Sequence, residues 1–265
     1  MTNSEKLLNF AVSVLVLLVL LVLYAPFFVG SIFSIFETDR NGIHWDNGTF
    51  AWYLKLWSNT SIMDAIRSTL LVGFFSVSAA VILAVTLALY VESEGAIGRR
   101  LIELVVYLPF LLPPIVTGLS LLIFFAELGV SRGITTIAIG HTVFVLALLY
   151  RLVLTRLQAL PKSLVEASAD LGATQFQTLR YVLWPHLRPA VATGAILAFA
   201  LSFDETLISV FLAGNETTLP LRLWAMMRVG FTPEINALVT IILSVSILLA
   251  IVVSMRMKPH RDNDF

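Results

Sequence analysis

Two adjacent carboxylates, Asp204 and Glu205, stand inside an apolar run that begins near Pro189 and reaches about residue 212. An acidic side chain deep in a bilayer costs about 2.5 to 3.5 kcal/mol on insertion scales, so it faces a bundle interior or a watered cavity and marks a path for charged solutes. With a rise of about 1.5 Å per residue, a helix starting at Pro189 carries Asp204 roughly 22 Å along its axis, in the outer half of the hydrocarbon core. Neighbouring helical positions lie about 100° apart, so at most one of the two carboxylates points fully at a lumen. The alternative is a helix that ends earlier, with both acids capping an outer turn in water. Arg222 and Arg228 offer a third role for the acids, as partners in a structural lock. A carboxylate pair also has the form of a general acid and base. Here it lacks a companion nucleophile or metal set, and the chain has no phosphate-binding G-x-x-x-x-G-K-[ST], dinucleotide turn or H-E-x-x-H pattern, so no catalytic residue is expected. His141, alone in another apolar run, is expected to be hydrogen-bonded within the bundle and not to line the path.

The second constellation is EASADLGATQFQTLRYVLWP, residues 166–185. Ser163 with Glu166 reads as a capping box after Pro161, starting a helix whose Leu164, Ala167, Ser168 and Leu171 make a narrow, small face. Gly172 suits the left-handed stop after such a helix. Thr174 with Gln177 offers a second capping box, leading into Phe176, Leu179, Val182 and Leu183; Pro185 punctuates the exit, and Pro189 is placed to begin the next membrane helix. A small-faced helix on display suits docking in a groove of another protein. An amphipathic loop resting on lipid is the competing reading.

The elements that must position these residues follow from composition. Hydrophobic residues make up 58% of 265, with a mean hydropathy of +0.91, so the chain is an integral membrane protein whose solvent is lipid. Net charge is zero, with 17 basic and 17 acidic residues, which gives no field for nucleic acid, and no cysteine is present. The first apolar run is longer than a signal-peptide core and lacks an A-x-A cleavage site, so it reads as a retained membrane helix. Five more runs qualify, at about residues 68–90, 101–125, 134–151, 190–212 and 236–255, giving an all-α polytopic protein of about six membrane helices in a single domain, residues 1–265. Of the flanking basic residues, Lys6, Arg99, Arg100, Arg151, Arg156, Lys162, Arg180, Arg188, Arg256, Lys258 and Arg261 fall on one side. Arg40, Lys55, Arg67, Arg132, Arg222 and Arg228 fall on the other; eleven against six puts both termini, and a loop at about residues 155–188, in the cytoplasm. The outer segment of residues 37–67 is expected to lie at the interface with a short amphipathic helix near Phe50 to Trp57. Pro109, Pro113 and Pro114 interrupt the third run; broken backbone at membrane depth needs protein or a cavity around it, so Pro113 and Pro114 are expected along the translocation path, with a simple packing kink as the alternative.

Glu166-Ala167-Ser168, Gly172 and Leu183-Trp184-Pro185 resemble the cytoplasmic EAA motif of ATP-binding-cassette (ABC) importer permeases, with Ser in place of the motif's second Ala and Trp inserted before the Pro. The stretches LPFLLPPIVTGLSLL (108–122), SFDETLISVFLAG (202–214) and LPLRLWAMMRVGFTPEINALVTI (219–241) are similar to the second permease of spermidine/putrescine importers. The resemblance implies a type I, MetI-like importer permease in a bacterial inner membrane, multi-pass. It implies that Glu166, Ala167, Asp170, Gly172 and Pro185 serve ATPase coupling, while the charge and backbone arguments above put Asp204, Glu205, Pro113 and Pro114 on the expected substrate pathway. It further implies cytoplasmic ABC ATPase subunits, a second homologous permease and an extracytoplasmic solute-binding protein as partners. No cofactor is expected in this chain, ATP and Mg belonging to the partner ATPase. The cargo implied is a polyamine, or an amine or amino-acid-like solute such as 4-aminobutyrate or an opine. A secondary transporter using an acid as a proton or cation site is the rival from another class.

Overall fold

A computed structural model of the chain describes residues 3–39, 42–93, 95–229 and 233–256. Arg40, Lys258 and Arg261, used in the charge count, and residues 230–232 of the last resembling stretch lie outside the described residues. The helices, in chain order, are α1 (Asn3–Phe33), α2 (Ala51–Ser58), α3 (Thr60–Glu92), α4 (Arg99–Leu111), α5 (Pro114–Glu127), α6 (Ile134–Gln158), α7 (Lys162–Asp170), α8 (Gln175–Thr178), α9 (Trp184–Asp204), α10 (Leu207–Leu212), α11 (Leu219–Val229) and α12 (Glu234–Arg256). Among the described residues, four segments are long and apolar enough to cross a membrane: α1, α3, α6 and the continuous stretch Gln175–Asp204; α4 with α5, taken as one bent span, makes a fifth, and α12 is apolar over Glu234–Leu248. The chain packs as two compact units, residues 61–224 and residues 1–60 with 225–265.

In the unit of residues 61–224, α6 is the central post. Val145, Leu149, Tyr150, Val153 and Leu154 of α6 are buried with the small stripe Val77, Ala80, Ala84 and Ala88 of α3 and with Leu187 and Ala198 of α9. Lipid is as apolar as these side chains, so their cohesion comes from close packing and interhelical hydrogen bonds, averaging about 0.6 kcal/mol each, and small residues at the contacts are what permit it. Gly140 on α6 shows the requirement: a Cβ there would sit 2.6 Å from Leu212 Cδ1 and 2.7 Å from Ile208 Cγ2, so its absence lets α10 lie against α6.

The third apolar run is not one straight crossing. α4 and α5 meet at a bend of 110°. Leu112 is extended at ψ 145°, as the residue before a proline tends to be, and Pro114 opens α5 where its missing N–H costs nothing. Pro113 cannot donate to the Pro109 carbonyl; the Thr117 hydroxyl does so instead at 3.4 Å.

The fifth run also differs from expectation. Its helix starts well before Pro189, which lies inside α9, and Pro185 is at the α9 N-terminus. A single π turn, Leu179–Leu183, joins α8 to α9, with the Trp184 N–H donating to the Leu179 carbonyl, so the ladder widens where Pro185 has no N–H to give. α9 then ends at Asp204 and helix resumes at Leu207, where a continuous run to about residue 212 was expected. Asp204 is therefore at the far end of a 21-residue helix, roughly 30 Å from its start, and not two-thirds of the way along one.

In the other unit, α1 packs with α12, and α12 with α2. The outer segment adds an antiparallel hairpin, Phe36–Asp39 with Gly42–Gly48, that the sequence pattern did not reveal; α2 falls where a short helix was expected. Glu234, buried at the start of α12, accepts from Lys55 Nζ at 2.6 Å and Asn59 Nδ2 at 3.4 Å, fastening α2 to α12.

Candidate functional site

The two constellations sit at opposite ends of the stretch that contains α9. At its start is a helical hairpin made of α7, a turn at Gly172, and α8. α7 begins at Lys162 with Pro161 at the N-cap and no side-chain cap, so the Ser163–Glu166 box is not formed. The Gly172 stop and the Thr174–Gln177 box do form. Gly172 has φ 77°, the Gly172 N–H donates to the Ala169 carbonyl at 2.8 Å, and the Ala173 N–H to the Ser168 carbonyl at 3.0 Å, a Schellman stop. The second box is complete: the Thr174 N–H donates to Gln177 Oε1 at 2.7 Å and the Gln177 N–H to Thr174 Oγ1 at 3.3 Å.

This hairpin is held largely by its own bonds. Ser168 Oγ donates to the Val165 carbonyl at 2.8 Å and lies 2.9 Å from Thr178 Oγ1, tying α7 to α8. At its base, Arg156 Nε donates to the His186 carbonyl at 3.2 Å while His186 Nε2 donates back to the Arg156 carbonyl at 3.1 Å. Sequence reasoning noted Ser168 as a departure but missed both clasps. No residue of α7 is buried, and Leu171 is 89% exposed at its tip. Ala167, Asp170 and Gly172 lie on this uncovered helix and its stop, while Glu166 lines a cleft of about 270 Å³ with Glu92, Gln158, Lys162 and Leu183.

At the far end the chain breaks between two helices, and the two acids separate in role. Glu205 is buried; its Oε1 accepts the Ile208 N–H at 3.0 Å, capping α10. Asp204 is exposed and, with Phe144, Leu148, Leu197, Ala200, Leu201 and the edge of Glu205, lines an open cleft of about 460 Å³. The helix dipole gives each an opposite setting. A carboxylate at a helix N-terminus is stabilised, whereas one at a C-terminus adds to a partial negative charge of about half a unit. Glu205 is thus satisfied within the fold, and the Asp204 carboxylate adds its unit charge to the partial negative charge at the C-terminus of α9. Among the described residues no ion pair joins Arg222 to either acid, and the Arg222 Nε is buried without a hydrogen-bond partner. Neither Pro113 nor Pro114 lines this cleft. Near that break, the Phe110 ring lies 6.2 Å from that of Phe144, which does line the cleft.

Behind the break is a buried polar chain. Ser209 Oγ donates to the Glu205 carbonyl at 2.9 Å and lies 3.0 Å from His141 Nε2; His141 Nδ1 lies 2.8 Å from Ser202 Oγ, which is 3.2 Å from Ser76 Oγ. With the Ser209 proton committed to a carbonyl, a neutral ring donates from Nε2 and accepts at Nδ1. His141 is hydrogen-bonded within the bundle, as expected of it. Its partners were invisible beforehand, although Ser202 and Ser209 stand out as hydroxyls flanking the acids in an apolar run.

Residues 80–258 match the family described as binding-protein-dependent transport system inner membrane component. The chain is 34% identical over 230 residues to the spermidine/putrescine transport system permease protein PotC of Escherichia coli K12, covering 86% of this chain and 87% of that one. It is 34% identical over 238 residues to the putrescine transport system permease protein PotI of the same strain, covering 87% and 84%. Among solved structures, a chain of a bacterial ABC transporter involved in the import of the acidic polysaccharide alginate superimposes with a TM-score of 0.73 at 19% identity, over 98% of this chain and 99% of that one. A chain of the MetNI methionine ABC transporter in an inward-facing conformation gives a TM-score of 0.58 at 22% identity, over 75% and 93%.

Proposed function

This chain belongs to the binding-protein-dependent transport system inner membrane component family and is a permease subunit of an ABC importer, and from that premise we propose that it passes a polyamine or a related amine across the membrane along a path that Asp204 lines. The observation that carries the cargo reading is the Asp204 carboxylate, exposed on a cleft at the C-terminal end of α9, where the dipole deepens its attraction for a positive amine. The names of PotC and PotI support the same class. α7 and its Gly172 stop, uncovered and internally braced, are the coupling surface for a cytoplasmic ATPase subunit that binds ATP and Mg; Glu166, Ala167 and Asp170 belong to this docking element, and Pro185 to its junction with α9. Both termini are then cytoplasmic. A second, homologous permease completes the pathway, and an extracytoplasmic binding protein delivers the solute.

The test has two readouts. Affinity purification in mild detergent with mass spectrometry is expected to recover an ATPase and a second permease; a transport-competent complex lacking any ATPase sinks the coupling assignment. Uptake of radiolabelled putrescine, spermidine and 4-aminobutyrate then ranks the cargo. Preference for 4-aminobutyrate over both polyamines overturns the polyamine reading and leaves the permease assignment standing.

A further inference from the structure

No glycine or proline lies between Ser202 and Ser209, yet the helix stops at Asp204 and restarts at Leu207. Asp204 and Thr206 are weak helix formers, but neither is the Gly or Pro that usually stops a helix. A sharp break in a helix has identifiable causes, and here local ones are present: Glu205 Oε1 accepts the Ile208 N–H at 3.0 Å, and Thr206 Oγ1 donates to the Asp204 carbonyl at 3.3 Å. His141 adds a non-local one. Its two ring nitrogens reach Ser202 Oγ on α9 at 2.8 Å and Ser209 Oγ on α10 at 3.0 Å. Seven residues of unbroken helix rise about 10.5 Å, a gap wider than one imidazole bridges at such bond lengths. Both bonds form because the chain folds in on itself between the two serines. The ring is 1% exposed, and Ser202 and Ser209 are likewise buried, so no water competes for these bonds.

We infer that His141 is a positioning residue for the translocation path: it pins the two half-helices together across the break and thereby holds the Asp204 carboxylate at the cleft, without touching the solute itself. Three features of the fold serve this arrangement. Gly140, beside it, allows α10 to approach α6 closely enough for the Ser209 bond. Ser209 passes the connection to the Glu205 carbonyl at 2.9 Å, and Glu205 caps α10 through its side chain. Ser76 on α3 braces Ser202 from behind at 3.2 Å. Without the imidazole, the two serines lose their shared partner, and the two half-helices shift against each other, turning Asp204 away from the cleft.

The functional consequence rests on the reading of Asp204 as a pathway carboxylate, but the geometry can be tested apart from any cargo. The chain has no cysteine, so Asp204→Cys and, one turn earlier on the same cleft, Ala200→Cys each create a single reactive thiol. Their modification rates by a water-soluble cationic thiosulfonate are measured in membranes, on the full chain expressed with its transporter partners. Adding His141→Leu is expected to slow modification at position 204 by about tenfold or more, the scale on which one buried hydrogen-bonded pair shifts an equilibrium. His141→Gln, which keeps a donor and an acceptor, is expected to restore the rate to within about threefold, and position 200 to change by less than about twofold. An unchanged rate at position 204 overturns the proposal. Equal slowing at both positions also overturns it, since that is general loss of structure. Should His141→Leu fail to insert, Ser209→Ala with the same two thiols gives the same reading. A failure of Asp204→Asn to affect uptake would remove the cargo reading while leaving these rates, and the pinning, intact.

Discussion

The hairpin before α9 and the break after it are both turns between helices, yet they are built in opposite ways. At the hairpin, the bonds that shape the turn join residues no more than ten apart: Gly172 to Ala169, Ala173 to Ser168, Thr174 with Gln177, and Ser168 to Thr178. Only its base depends on a longer reach, from Arg156 to His186. At the break, short caps between Glu205 and Ile208 and between Ser209 and Glu205 are joined by bonds between positions 61, 68 and 126 residues apart, from His141 to Ser202 and Ser209 and from Ser76 to Ser202. A turn that holds its own shape leaves its outer surface free for a partner. A turn held from outside its own sequence is fixed by the helix bundle, which suits a carboxylate that must be aimed.

The largest expected effect tests what that aim is for. Asp204→Asn keeps size and some hydrogen bonding while deleting the charge, and a hydrogen bond to a charged group is worth about 1.5 to 3 kcal/mol, so polyamine uptake is expected to fall about ten- to a hundredfold at equal membrane expression. Wild-type uptake of every amine tested would make Asp204 a structural acid and remove the functional half of the comparison. Next in size is the hairpin. At Gly172 nothing lies within 4 Å of a built Cβ, so any penalty comes from backbone alone at φ 77°. A left-handed position costs an L-residue about 1 to 2 kcal/mol, more when β-branched, and Asn least. Gly172→Val is therefore expected to cut uptake about tenfold while leaving insertion intact, and Gly172→Asn to stay within about threefold. Equal loss in both variants would point to a packed Gly172 and overturn the turn as the cause.

The same contrast explains how much was legible in the sequence. The Gly172 stop and the Thr174–Gln177 box were readable because both members of each signal lie within a few residues. Prolines 113 and 114 announced the break between α4 and α5 for the same reason, though the size of the bend did not follow from them. The end of α9 was misjudged because Ser202-Phe203-Asp204-Glu205-Thr206 contains no Gly or Pro, and the bonds that tie its two sides together reach to His141 on α6. For Glu205, burial and the bond to the Ile208 N–H depend on α10 existing as a separate helix, so the spacing indicated that at most one acid faces a lumen but not that Glu205 is the one held within the fold. The strand pair Phe36–Asp39 with Gly42–Gly48 escaped notice because Glu37 and Asp46 interrupt its apolar pattern, and its Trp45 packs on nearby Phe33 and Phe36.

Glu205 gives a third, smaller effect that sharpens the division of labour. Glu205→Gln retains Oε1 to accept from the Ile208 N–H and loses only the interaction of a full charge with the α10 N-terminus, typically about 0.3 to 1 kcal/mol. Uptake is expected to fall no more than about fivefold. Glu205→Leu, which leaves that N–H buried and unpaired, is expected to lower the amount of folded permease, measured by detergent-extraction thermal stability. If Glu205→Gln abolishes uptake as Asp204→Asn does, the two acids share the path and the assignment of Glu205 to capping alone fails.

The smallest effect belongs to Ser168, where this chain departs from the Glu-Ala-Ala pattern. Its hydroxyl proton goes to the Val165 carbonyl, so Thr178 must be the donor in the bond between the two side chains. Ser168→Ala removes an acceptor worth about 0.5 to 1.5 kcal/mol, while Ala regains a few tenths of a kcal/mol in helix propensity, and the Thr178 hydroxyl can turn to the Thr174 carbonyl one turn back. The Schellman stop and the Thr174–Gln177 box are untouched. Uptake is therefore expected within about twofold of wild type, with backbone amide exchange in residues 166–178 rising severalfold as α7 and α8 part more often. A tenfold loss of uptake from this one hydroxyl would mean that the hairpin transmits force through the Ser168–Thr178 clasp, and that its shape is no more self-sufficient than the break at the other end of α9.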